Sequence, residues 1–472
     1  MGDDDLCYLS ASEARRRFRA GTLSPVELID ALIGRAEAVE GWLTAFTWRA
    51  FDAAREAARR AEARYRRPGA RLRPLEGIPV AIKDEQEITG QPTTMGSLIY
   101  RDNVATETSP AIARILRAGA IVHARTVTPE FSCVPVCHSR LWGVSRNPWN
   151  TEFDPGGSSG GSAIALAAGL TTLANGTDYA GSIRIPASAC GVVGYKPPYG
   201  RNPESPPFSL DPYNHIGPLA RTVADCALLQ NVMSGPYAGD MATLPRRLRI
   251  PERLEGIRGW RIAYSLDLGY FRIDPAVRDN TLAALEGFRE AGATVEEVSL
   301  DWTLDVLTAC HNHLEMVFGG WIGQALEGHR HLLTDYARRL GEMAQGAGPR
   351  RFLAGMEVEG RMWAGFAEIM RRHDVFVCPT LAVPAVAAGH DCFAPGFAID
   401  GGAVDGYLQW CLTYPFNMLN RCPAITVPSG LAATGVPTGI QIVARAYDDI
   451  AVFRAAAAFE AVRPWAERRP PL

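Results

Sequence analysis

The chain has 472 residues, 47% of them hydrophobic and 21% charged, with mean hydropathy near zero; that make-up buries a sizeable core and excludes global disorder. A formal net charge of -3 and a pI near 6.3 leave no basic field to collect phosphates, so the expected partner is a small molecule and not nucleic acid. Met1-Gly2-Asp3-Asp4-Asp5 is the reverse of a cationic signal-peptide start, and no run of about 18 apolar residues occurs, so the expectation is a soluble, cytoplasmic protein with no membrane contact.

Ser24-Pro25-Val26-Glu27 is a capping box with proline in the first helical position, which predicts a helix to about Val39. An Ala/Arg-rich helix follows at about 50–65, and 1–70 reads as an N-terminal helical segment. The apolar run Gly77 to Ile82 is a buried-strand pattern ending in Lys83. Ser109-Pro110 starts a short helix that stops at Gly119, and Ala120 to Thr126 reads as a strand. Strand, helix, strand is α/β. Gly and Ser dominate 156–162, an Ala-rich helical stretch runs to about 168, and an apolar segment leads through Asn175-Gly176-Thr177-Asp178 into a second turn at Gly181-Ser182. A loop ends at Gly217-Pro218, and Thr222 caps a helix toward Met233.

The core is therefore placed at 71–235, followed by a variable strand and helix region at 236–372. Within the latter, 236–258 reads as a long surface connection, Trp260 to Ser265 as a strand and 275–291 as a helix. From 302 to 372 the pattern is helical with many aromatics, among them Phe318, Trp321 and Phe366; core filling is the ordinary reading of such a stripe, and a substrate lid the other. Strands return at Val375 to Cys378, Ala424 to Val427 and Gly439 to Val443, and a helix spans about Ile450 to Ala461, so 373–472 completes the same α/β domain.

Ten cysteines are scattered rather than framed as a disulfide scaffold and read as buried, reduced thiols. Cys133, Cys137 and His138 lack zinc spacing, no second ligand pair stands near them, and His123 lies on a strand, so no metal is expected.

Of the 48 lysines and arginines only Lys83 and Lys196 are lysines; the other 46 are arginines. Where positive charge defaults to arginine, a lysine marks a place that needs a removable proton, because a desolvated amine loses one and a guanidinium does not. Lys83, at a strand end, fits that reading. Lys196, before a proline pair, reads as structural.

Two Gly/Ser turns carry the chemistry. Glycines let backbone N–H groups crowd a ligand oxygen, and a serine among them presents its hydroxyl for attack, which suits acyl transfer. A phosphate cradle would need Lys-Ser/Thr after the glycines, where Ser162-Ala163 stands. Gly156-Gly157-Ser158-Ser159-Gly160 also matches G-x-S-x-G, which would make Ser158 the nucleophile of a histidine-dependent esterase. His215, His311, His313, His329, His331, His373 and His390 all follow it, none in a distinctive context.

Three motifs together, Val80-Ala81-Ile82-Lys83-Asp84, Asp154 through Ser162, and Gly176 through Pro186, resemble the amidase signature family, and flanking segments extend the likeness over nearly the whole chain. The resemblance implies one large α/β domain with a mixed β-sheet core flanked by helices on both faces. It implies a metal-free serine hydrolase without cofactor, acting on C–N bonds through an acyl-enzyme. Carried over, Ser182 is the nucleophile, Ser158 the bridging serine on a cis peptide and Lys83 the base, which must start uncharged. The N–H groups of Tyr179, Ala180, Gly181 and Ser182 form the oxyanion hole, each such donor being worth roughly 3 kcal/mol. Many members carry two glycines where this chain has Ala180-Gly181. Gly157, Ser159, Asp178 and Arg184 brace the site, the last two as a pair.

By the family's layout Ser132 and Cys133 line the acyl pocket and Tyr179 borders it, with Trp410, Tyr414 and Phe416 either adding wall or filling core. The expected substrate is a small apolar or aryl amide, with carbamates (urethanes) and esters close in chemistry; a homodimer is the other partner considered. A non-catalytic or glutaminase-type amidotransferase subunit stays as an alternative, disfavoured because Ile185 stands where those subunits usually carry Gln.

Overall fold

The run that ends in Lys83 lies inside a mixed sheet of eleven strands in the computed structural model, which describes residues 3–472; Met1 and Gly2 of the acidic opening lie outside the described residues. In chain order the strands are β1 (Phe46–Arg49), β2 (Pro79–Lys83), β3 (Ile121–Thr126), β4 (Leu173–Asp178), β5 (Val193–Lys196), β6 (His215–Ala220), β7 (Arg261–Tyr264), β8 (Thr294–Glu297), β9 (Val375–Pro379), β10 (Ala424–Leu431) and β11 (Pro437–Val443). Their order across the sheet is β1-β3-β2-β4-β6-β5-β10-β11-β9-β7-β8. β2 runs parallel to both neighbours, with Lys83 beside Thr126 and Val80 beside Leu173. β4 is then antiparallel to β6, with Asp178 opposite His215. Every residue of β2 and β4 is buried, as a strand covered on both faces requires.

Helices cover both faces. On one, Leu28, Leu32, Ile112, Ile115, Leu229, Phe288, Val452 and Phe459 pack against Ile78, Val80, Ile82 and the apolar faces of β10 and β11. On the other, Phe376 and Val443 meet Phe366, Phe416 and the helices Asp305–Leu314 and Pro349–Met370. The capping box is present: the Ser24 side chain accepts from Glu27 N–H, the Glu27 side chain caps Ser24 N–H, and the helix runs Pro25–Leu43. Thr222 likewise caps Val223–Met233.

Three elements differ from the sequence reading. Gly217-Pro218 belongs to β6 and not to a loop; β5 pairs with β6 only at Leu219 and Ala220, so Pro218, which has no N–H to give, stands where the ladder on that side has ended. The helical segment 1–70 also contains strand β1, at one edge of the sheet, and β8 forms the opposite edge. The connection 236–258 has no helix or strand, yet Ile250 and Ile257 anchor it in the core. All ten cysteines are buried and free of disulfides. Among the described residues no helix is long and apolar enough to cross a membrane.

Candidate active site

Lys83 ends β2 with its side chain fully buried. Its main-chain N–H donates to Asn175 Oδ1 at 3.0 Å, and its Nζ lies 2.7 Å from Ser158 Oγ and 2.8 Å from Thr177 Oγ1. A third partner was not foreseen: Glu85 Oε1 lies 3.2 Å from the same Nζ. Burial pushes the amine below the ordinary lysine range, and the Glu85 carboxylate opposes that shift. The Thr177 hydroxyl donates to Glu85 Oε1, and the Ser132 hydroxyl donates to Glu85 Oε2.

Ser158 is carried on a cis peptide after Gly157. The turn is seated from below: Gly157 N–H donates to Pro135 O at 2.7 Å and Gly156 N–H to Asp154 Oδ1 at 2.8 Å. A Cβ at Gly157 would meet Val136 O at 2.3 Å, so no side chain fits there. Ser159 N–H donates to Ser182 O at 3.1 Å, which stitches the two Gly/Ser turns together.

Ser182 sits between the end of β4 and the helix Arg184–Cys190. Asp178 and Arg184 form a fully buried bidentate pair, Nε to Oδ2 and Nη2 to Oδ1 each at 2.9 Å. Arg184 also reaches Thr413 O, Gln441 Oε1 and Asn417 Oδ1, and Asn417 donates back to Asp178. Burial alone would raise the Asp178 carboxyl, but the guanidinium and these donors hold it well below the usual carboxylate range. Gly181 has φ 128°, and a Cβ there would lie 2.0 Å from Thr413 Oγ1, whose hydroxyl donates to Ala180 O at 2.6 Å. Ala180 itself is outside the left-handed region, so its methyl is accommodated. The backbone N–H groups of Tyr179, Ala180, Gly181 and Ser182 make no hydrogen bond among the described residues, and neither does the Ser182 hydroxyl.

Ser158, Ser182, Thr177, Glu85, Ser132 and Tyr179 line one cavity of about 350 Å³. Its apolar lining includes Met95, Tyr100, Phe131, Phe208, Phe318 and Trp321, beside polar residues such as Gln86, Asn103 and Asn214. Two aromatics of the 302–372 stripe thus face the cavity, while Trp302 and Phe366 fill core. Trp410, Tyr414 and Phe416 are buried core away from it. Cys133 also packs into the core: Phe131 and Ser132 turn the chain through φ 55° and 57°, and of the two residues expected to line the acyl pocket, Ser132 and Cys133, only Ser132 faces the cavity. Lys196 ends β5 fully buried, with Nζ donating to Cys422 O at 2.9 Å, the structural place expected of it.

The residues missed from sequence are Glu85, Thr177, Asp211 and His313. The Tyr179 hydroxyl donates to Asp211, whose other oxygen meets His313 Nε2 at 2.9 Å, and the His313 ring stacks on Tyr213 at 3.7 Å. That chain ties the helix Asp305–Leu314 to the nucleophile turn. Among the described residues no imidazole lines the cavity, and Ser158 has Lys83, not histidine, as its partner.

The family pattern described as Amidase matches residues 27–453. The chain is 38% identical to an acylamidase of Rhodococcus erythropolis, covering 100% of this chain and 98% of the relative. It is 34% identical to a glutamyl-tRNA(Gln) amidotransferase subunit from Chloroflexus aggregans, covering 99% of each. The solved structure of a bacterial aryl acylamidase of the amidase signature enzymes superposes with a TM-score of 0.91 at 29% identity, over 98% of this chain and 99% of that one.

Proposed function

The chain belongs to the amidase signature family and is an amide-hydrolysing enzyme, and from that premise we propose that Ser182 attacks apolar or aryl amides, with Lys83 as base and Ser158 as relay. One observation carries the reading: a fully buried amine, pushed toward its neutral form, touches Ser158 Oγ at 2.7 Å in the cavity that holds the unpartnered Ser182 hydroxyl. The Ser182 proton passes to Ser158 and the Ser158 proton to Lys83 as Ser182 Oγ bonds to the carbonyl carbon. The free N–H groups of 179–182 receive the oxyanion. On collapse Lys83 returns the proton through Ser158 to the leaving nitrogen, which departs as a neutral amine, and water opens the acyl-enzyme by the same relay. Ser158 Oγ is hydrogen-bonded to Lys83 and not directly to Ser182; catalytic contacts of this kind commonly tighten only once substrate is bound.

The cavity supports the choice of substrate. Its apolar lining is largely aromatic, its acidic lining residues are Glu85, Glu87 and Glu204, and among the described residues no Arg, Lys or His lines it. A substrate carboxylate finds no cationic partner there and faces acidic residues instead, which favours a neutral amide over the charged glutamine of a glutaminase-type subunit. Carbamates and esters present the same carbonyl to Ser182 and are proposed as further substrates.

The test is a panel of para-nitroanilides, anilides, urethanes and esters, offered to the parent and to Ser182→Ala. The expected result is anilide turnover that falls by roughly 10⁴-fold or more in Ser182→Ala with unchanged circular dichroism. Retained turnover would return the nucleophile's role to Ser158.

A further inference from the structure

We propose that Glu85 is a positioning residue for Lys83: it orients the amine toward Ser158 and supplies the counter-charge when Lys83 becomes an ammonium, as the aspartate does for histidine in a Ser-His-Asp triad. The inference rests on the function proposed above.

The geometry of the amine carries it. Nζ has three polar partners, Ser158 Oγ at 2.7 Å, Thr177 Oγ1 at 2.8 Å and Glu85 Oε1 at 3.2 Å. A neutral amine has two N–H donors and one lone pair. Thr177, whose own proton is given to Glu85, is an acceptor toward Lys83, and the Glu85 carboxylate is an acceptor only. Both N–H groups are thereby assigned, and the lone pair is left for the Ser158 proton. When that proton arrives, the third N–H forms where the lone pair was and the cation stands against a carboxylate already in place, so no side chain has to move.

The carboxylate is itself held. Oε1 receives Thr177, and Oε2 receives Ser132, whose hydroxyl also lies 2.7 Å from Thr128 Oγ1. Ser132 reaches it from a backbone that is costly to hold, because Phe131 and Ser132 sit at φ 55° and 57°, left-handed values in two consecutive residues that are not glycine. Such outliers persist where surrounding structure enforces them, and delivering a hydroxyl to Glu85 gives this one a purpose.

The other charges that face Lys83 do not take the role. Asp178, at the end of β4, is committed to Arg184. The Cys137 thiol is pushed by burial up to about 12 and stays neutral. Arg125, from β3, donates to the Lys83 carbonyl rather than to Glu85, and Glu204, which lines the same cavity, is pushed by burial up to about 8 and is a neutral acid below that. Among the described residues Glu85 has no guanidinium partner.

The experiment is the pH dependence of kcat and kcat/KM on an anilide for the parent and Glu85→Gln, with Lys83→Ala as control. A carboxylate this close favours the ammonium, so its removal lets Lys83 give up its proton at lower pH. The acidic limb should move toward acid by about one pH unit or more. At the same time the plateau kcat should fall by roughly tenfold or more, because the ammonium formed in the reaction has lost its counter-charge. Lower activity with the limb in place overturns the inference, since a merely structural residue would not move it. If Glu85→Gln does not fold, Glu85→Asp should move the limb in the same direction by less, and an unmoved limb there overturns it equally. Parent-like turnover by Lys83→Ala sinks the proposed function itself; an inactive Lys83→Ala beside an unmoved Glu85 limb sinks only this inference.

Discussion

Gly181 shows how little freedom the nucleophile turn has. Its φ of 128° suits glycine, and Thr413, which ties down Ala180 O, fills the space where a Cβ would go. Gly181→Ala should therefore displace Thr413 and the adjoining N–H groups, lowering kcat by about 10²-fold and stability by about 1–3 kcal/mol; steady-state kinetics and urea unfolding measure the two. At this scale the sequence was most legible where chemistry demands a rare residue. Lys83 stood out against an all-arginine background, and the Gly/Ser turns marked Ser158 and Ser182. Glu85 did not, because a carboxylate two positions past a strand end reads as a solvated turn residue. Its meaning comes from Thr177, on another strand, and from Ser132, on a left-handed turn.

Phe318 and Trp321 belong to a π-helical turn, Glu315–Gly319, and to the helix that follows it. A π turn shifts side chains around the axis, and here both rings reach the cavity, with Trp321 edge-on to Phe131 and Phe208 at 5.3 Å and Phe318 at 5.1 Å from Tyr179. Trp321→Ala should raise KM for aryl amides on the order of tenfold with a smaller change in kcat, because the ring holds the bound substrate and the transition state alike. An equal loss with aliphatic esters would argue against an aryl contact. Elements with a local signature, the capped helices after Ser24 and Thr222, were readable; β6 was not, because Gly217-Pro218 is turn punctuation by every local rule and becomes a strand only through β4. Which two rings of a long aromatic stripe leave the core was equally hidden, since the π turn has no sequence mark.

Across the whole molecule, the strand order β3-β2-β4-β6-β5 brings Lys83, Ser158 and Ser182 together from segments 75 and 24 residues apart along the chain, and only the shared motifs, not periodicity, anticipated that meeting. Such a buried centre has a pH signature in folding. Asp154, which accepts from the Cys137 and Gly156 N–H groups beneath the Ser158 turn, is raised by burial to about 7. Its unfolded value is near about 4, so the native state keeps a proton that the unfolded chain releases. That contribution is fully present below about pH 4 and is lost as pH rises through the folded value. Urea unfolding over this range should show the parent losing stability relative to Asp154→Asn, and a pH-independent difference would contradict the assignment.

The two lysines have a consequence outside catalysis. Both are fully buried, so apart from histidines such as His329 and His331 the exposed basic side chains are guanidinium groups, which do not titrate in the working range of an enzyme. The exterior thus keeps its cationic charge in alkaline solution. Reagents that acylate ε-amines find none on the folded exterior, so labelling at Lys83 or Lys196 becomes a chemical gauge of how often the interior opens.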